Sequence, residues 1–143
     1  MHVRTPCVGL CSTTFGDLVC RGCKRWAHEI VGWNGFDDVQ KAQVVTRLTA
    51  QRDGCVAAFV VIDDESALHA EARRLGVAAP ASAAELVLAL LRRGLRAADM
   101  GCRVRPGGVP AGIDARDLYG RIEAELQLRA EADSERSFRV RVR

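Results

Sequence analysis

Lysine is almost absent from this chain. Of twenty-one basic residues only Lys24 and Lys41 are lysines, and neither stands in a defined catalytic setting. The three histidines are not paired, there is no nucleophile elbow, and the glycines of RPGGVPAG (105–112) are followed by no phosphate-loop fingerprint. These absences argue against an enzyme. Aromatic residues are scarce as well (four Phe, two Trp, one Tyr), which removes the stacking platform on which single strands are read. No apolar run is long enough to cross a bilayer: CVAAFVVI at 55–62 has the length of a strand and ELVLALL that of a short helix. The N-terminal MHVRTPCVGLC has neither the apolar stretch nor the small-residue cleavage site of a secretory leader, so a cytoplasmic protein without membrane contact is expected. A strong charge of either sign is missing too. Net +3 over 143 residues neither demands nor excludes a nucleic-acid partner.

What the chain does have is cysteine concentrated in one place. CVGLCSTTFGDLVCRGC, residues 7–23, holds four of the six. In a reducing cytosol, thiols crowded in this way point to metal binding or redox chemistry before structural disulfides. Two close pairs joined by a loop suit a tetrahedral ion, because each tight turn supplies two ligands and the loop turns the pairs face to face. Gly9 and Gly22 lie inside the two turns, where positive φ and amides aimed at sulfur are needed. Cys7, Cys11, Cys20 and Cys23 are therefore the candidate ligands. Four thiolates around Zn2+ leave a site charge of about −2, and Arg21, Lys24 and Arg25 stand beside the second pair to offset it. A closed four-cysteine set reads as structural. Zinc is the first reading and an iron–sulfur cluster the alternative, since both use four thiolates. His28, five residues beyond Cys23, reads as a polar position on a helix face.

Residues 1–54 read as one four-cysteine metal-binding module with two helices. Trp26, Ile30 and Trp33 recur at helical spacing, and Gly32, Asn34 and Gly35 end that helix. Asp37 and Gln40 form a capping-box pair before a second helix striped by Ala42, Val45 and Leu48. Residues 55–143 read as an α+β part of unknown role. CVAAFVVI predicts a buried strand, and Asp63, Asp64 and Glu65 read as turn and cap residues after it. A helix with Leu68, Ala72 and Leu75 on one face runs to Gly76. A second begins at Ser82 with Glu85 and stops at Gly94, and a third follows Asp114 with Leu118, Ile122 and Leu126 aligned. MGCRVRPGGVPAG predicts a loop. The alternation of SFRVRVR predicts a final strand that pairs with 55–62 and puts Arg139, Arg141 and Arg143 on one face as a candidate partner-binding edge. Cys55 reads as a small hydrophobe and Cys102 as a thiol in a mobile loop.

Pro6, Cys7, Gly9, Cys11, Cys20, Gly22, Cys23, Arg25, Glu29, Ile30 and Trp33 together carry a resemblance. In that combination the first third of the chain resembles a small bacterial family, domain of unknown function 1289, whose pattern runs Pro-Cys-x-Gly-x-Cys, a variable loop, Cys-x-Gly-Cys, a basic residue, Glu-Ile and Trp. Trp26 departs from it, standing where a threonine is usual. The family's common label as predicted iron–sulfur proteins implies that a cluster is as fitting an occupant of the four thiols as zinc. The expected protein is thus non-enzymatic and α+β. A four-cysteine knuckle with a helical hairpin precedes a helix-rich part with a small sheet, and the metal structures an interaction module for a protein partner, with nucleic acid second.

Overall fold

The computed structural model describes residues 3–78 and 82–141, with side chains through residue 137. The architecture is α+β. In chain order the regular elements are α1 (Ala27–Gly32), α2 (Asp38–Phe59), β1 (Val60–Ile62), α3 (Glu65–Arg74), α4 (Ala83–Arg92), β2 (Cys102–Val104) and α5 (Ala115–Arg141), with short 3-10 turns at Ser12–Phe15, Trp33–Gly35 and Ala97–Met100. The chain divides into two compact units, Met1–Gln51 with Leu126–Arg143 and Arg52–Glu125.

In the first unit, α2 starts as the sequence implies. The Asp37 amide donates to Gln40 Oε1 at 2.9 Å and the Gln40 amide to Asp37 Oδ1 at 2.8 Å, so each side chain satisfies one amide that the helix leaves unpaired. One face of α2 then buries Val44 and Leu48 against Trp33, with Phe36 and Val45 packed around them. A second small core joins Val19, Trp26 and, from α5, Ala130. Val19 and Trp26 are also paired as an isolated antiparallel bridge.

The second unit holds the sheet and the helices on its flank. Asp64 caps α3 by accepting the Ala67 amide at 3.1 Å. Leu68 and Ala72 are buried, and Gly76 closes the helix in the left-handed region at φ +69°. Ser82 accepts the Glu85 amide at 3.4 Å to open α4, whose Leu86, Val87, Leu90 and Leu91 are fully buried. Gly94, at φ +91°, ends its hydrogen bonding on the Leu91 carbonyl. Asp114 Oδ1 takes the Arg116 amide at 2.9 Å at the start of α5. In the sheet, β1 and β2 run antiparallel with Val60 opposite Val104 and Ile62 opposite Cys102. Gly101 makes the turn into β2 possible: its φ is +73°, its carbonyl accepts the amides of Asp63 and Asp64, and a Cβ there would lie 2.6 Å from the Asp64 carbonyl oxygen.

Three expectations fail here. The run at 55–62 is a strand only over Val60–Ile62, and its first five residues finish α2. Cys55, Val56 and Val60 are buried while Ala57 and Ala58 are exposed, so the alanines form the outer side of a helix. The segment 137–141 is no strand, because α5 continues to Arg141, and residues 142–143 lie outside the described residues. Beyond Gly120 no glycine or proline interrupts the four-residue row Leu118, Ile122, Leu126, Ala130 and Ser134, all buried, and extending an established helix needs only one new bond per residue. The strand that does pair with β1 is β2, inside the stretch expected to be a loop.

Candidate metal centre

The cysteine segment is two turns pressed together. In the first, Gly9 adopts φ +90° and its amide points at Cys7 Sγ, 3.4 Å away. The chain then passes through Cys11 and the 3-10 turn Ser12–Phe15, and reverses at Gly16 with φ +96°. In the second turn, the Cys20 amide donates to the Arg25 carbonyl and the Lys24 amide to the Cys20 carbonyl, both at 2.9 Å. Lys24 sits at φ +66°, a left-handed position that a lysine occupies only under constraint. The turns touch at Gly22. A Cβ on that residue would lie 2.6 Å from the Leu10 carbonyl oxygen and 2.8 Å from Val8 Cγ2. The Arg21 amide reaches across to Ser12 Oγ at 2.7 Å and fastens the same junction.

Cys20 lies at the centre of this junction with 1 % of its surface exposed. Burial by itself pushes its thiol up. The amides of Cys23, Ser12 and Gly22, with the Cys23 side chain, outweigh that and bring it down to about 7. As a thiol it donates to the Leu10 carbonyl at 3.3 Å, a bond it gives up on ionising. Its charge acts on both Cys11 and Cys23. Cys11 is held low by the Thr13 hydroxyl, 3.1 Å from its sulfur, and then by Thr14. Burial pushes Cys23 up, against the pull of Arg25, whose Nε donates to Cys23 Sγ at 3.2 Å. Arg25 is itself buried and stacks on Trp33, 4.8 Å from the ring centroid. A cation is thus stored out of water with a sulfur as its acceptor. Lys24, also buried, places its Nζ on the Arg21 carbonyl.

The fold therefore brings Cys11, Cys20 and Cys23 into one neighbourhood and leaves Cys7 exposed at its edge. Among the described residues no three His, Cys, Asp or Glu side chains are already assembled into a cage for an ion, and all six cysteines are unbridged. His28 is exposed, its ring 5.7 Å from that of Trp26. Cys55 is buried and its thiol faces the Ile122 carbonyl. Cys102 is in β2, not in a mobile loop, and burial followed by the Asp63 charge pushes its thiol up to about 11, which makes it unreactive. Asp63 pairs with Arg103 at 2.6 Å and Asp64 caps α3, so turn chemistry accounts for both. Arg139 and Arg141 fall in the last turn of α5, with side chains outside the described residues, as is the whole of Arg143. Helix therefore replaces the flat strand edge on which Arg139 and Arg141 were grouped.

One part of the module is invisible in residue spacing. Glu29, buried in α1, accepts the Trp26 amide at 2.9 Å and the two terminal guanidinium nitrogens of Arg47, each at 2.6 Å. The same guanidinium lies 3.9 Å over the Trp26 ring. Glu29 is part of the family pattern, but its partner is eighteen residues away on α2.

No curated protein matches this chain, and no solved structure does. One family model does match, described as Protein of unknown function (DUF1289), over residues 5–52. The segment carrying the four cysteines, α1 and the first two-thirds of α2 belongs to that family, as its motif implies.

Proposed function

We propose that Cys7, Cys11, Cys20 and Cys23 bind one structural Zn2+, and that the ion fixes the two turns of a module that binds another protein. The observation that carries this reading is the position of Cys20: its sulfur sits where the two cysteine turns meet and is ringed by amides from both. Amides aimed at sulfur favour the thiolate that a metal requires. The donor set fits a thiophilic ion as well. Arg25 against Cys23 and buried Lys24 beside it supply the positive charge that a −2 site calls for, and Gly22 permits the close approach of the turns. Bound zinc would supply a cross-link between turns whose own apolar support is small, here the Val19–Trp26–Ala130 cluster.

The test is purification without oxygen followed by elemental analysis. A colourless protein with about one zinc per chain supports the proposal. Brown protein with iron and labile sulfide replaces zinc with a cluster on the same thiols. Protein that binds neither, with the cysteines still reduced, removes the metal site. A nucleic-acid partner is the second reading, resting only on the arginines at 139, 141 and 143.

A further inference from the structure

Two arginines of the first unit lie over indole rings, and they have different acceptors. Arg47, 3.9 Å from the Trp26 centroid, grips the Glu29 carboxylate. Arg25, 4.8 Å from the Trp33 centroid, has Cys23 Sγ in the carboxylate's place, with Nε donating to it at 3.2 Å. Among the described residues no acidic side chain pairs with Arg25, and only 4 % of its surface is exposed.

A cation that far from water needs a full negative charge beside it, because burying an unpaired ion costs far more than one neutral hydrogen bond returns. A neutral thiol is only a weak acceptor. A thiolate is a charged one, and a thiol bound to a metal ion is deprotonated outright. Arg25 also governs the second cysteine turn from two directions. Its carbonyl accepts the Cys20 amide at 2.9 Å while its side chain holds Cys23. Trp33, beneath the guanidinium, packs on Val44 and Leu48 of α2, so the direction of that N–H is set by a packed core. Lys41 provides the contrast: its Nζ lies 5.7 Å from the same centroid and, among the described residues, bonds to no cysteine.

We propose that Arg25 is the positioning residue of the metal centre, orienting Cys23 Sγ through its Nε–H and balancing the thiolates with its buried charge. This rests on the reading that the four cysteines hold a thiophilic ion, zinc or a cluster alike. It separates two quantities that a merely structural arginine would move together. Loss of the guanidinium weakens metal binding, yet it relieves the metal-free protein of a buried cation that has only a thiol for an acceptor.

The probe is Co2+, titrated without oxygen into the metal-stripped full-length protein in competition with a chromogenic chelator. Arg25→Met should weaken binding by about 10–100-fold, the usual loss when the partner of a metal ligand is removed. Its sulfur-to-cobalt charge-transfer band should move to longer wavelength, because the sulfur has lost a donor. The urea midpoint of the stripped variant should be equal or higher, since an apolar chain of similar length replaces a buried ion. Arg25→Lys should restore the affinity only in part, having the charge without the planar fork. Lys41→Met, which takes a cation from the same ring and none from sulfur, should leave affinity and band in place. Unchanged affinity in Arg25→Met overturns the proposal and leaves the metal site standing. So does a loss of affinity matched by an equal loss of stability in the stripped protein with the band unmoved, or an equal weakening by Lys41→Met. An unaltered chain that takes up neither cobalt nor zinc refutes the metal reading and this proposal with it. If Arg25→Met does not fold, the cadmium-loaded unaltered chain decides by NMR. The Arg25 Nε proton should exchange slowly there and couple to the metal through sulfur, and exchange as fast as in denatured protein overturns the proposal.

Discussion

Arg47 holds both carboxylate oxygens of Glu29 at 2.6 Å while its guanidinium covers the face of Trp26 at 3.9 Å. The pair ties α2 to the start of α1, directly behind the second cysteine turn, and Glu29 in turn fixes the Trp26 amide. Removing the arginine strands a buried carboxylate. Arg47→Ala should therefore destabilise the first unit by about 3 kcal/mol, near the lower end of what breaking a buried pair costs. Arg47→Lys should recover only part, since a point charge replaces neither the fork nor the stacking plane. Chemical denaturation followed by Trp fluorescence measures both.

Gly22→Ala puts a methyl group 2.6 Å from a backbone oxygen that no rotamer can move. The two turns must separate, at a cost of about 1–3 kcal/mol. On the metal reading, zinc affinity should fall with stability. Competition with a chromogenic chelator reads the affinity. Gly35→Ala, where a Cβ would meet open space, is the control and should change it little.

The thiol of Cys20 titrates at about 7 in the folded protein against an ordinary value of 9.0. Its folded value is the lower of the two, so between them the unfolded chain binds more protons and stability rises with pH. In metal-stripped protein this contribution is complete above about pH 9 and fades as pH falls through 7. Cys11, also lowered, acts in the same direction, and Cys23, raised, acts against it. Urea melts of the stripped protein at several pH values should show the rise, and Cys20→Ser should flatten it.

Cys20→Ser should also speed amide exchange across residues 5–36 while leaving that of α3 and α4 unaltered, because those helices belong to the other unit. Leu90→Ala is the converse. Leu90 is fully buried in α4, so its truncation should cost about 2–5 kcal/mol and speed exchange in Arg52–Glu125 first.

Local chemistry was readable wherever a short-range rule decides the outcome. Asp37 with Gln40, Asp64, Ser82 and Asp114 all open helices as their side chains dictate, and Gly76 and Gly94 close them. Gly9 takes the positive φ expected of its turn, whereas in the second turn the positive φ falls on Lys24 and Gly22 is needed for close approach instead. CVAAFVVI was misread because alanine is apolar in composition yet serves equally well on a helix exterior, and a short apolar run carries no period of its own. SFRVRVR alternates like a strand, but it is attached to a helix with nothing to stop it. Residue spacing also could not find Arg47 for Glu29, or β2 for β1, since both pairings join distant parts of the chain.

The packing of Ala130 on Trp26 and Val19 gives the family segment a boundary that its own motif does not display. Gln127 binds the Val19 carbonyl at 3.3 Å and Gln51 binds Asp133 at 2.8 Å, so the tail of the chain is built into the region matched at its head. A clone cut at residue 52 keeps all four clustered thiols yet strips the indole of its cover and ends in the middle of α2.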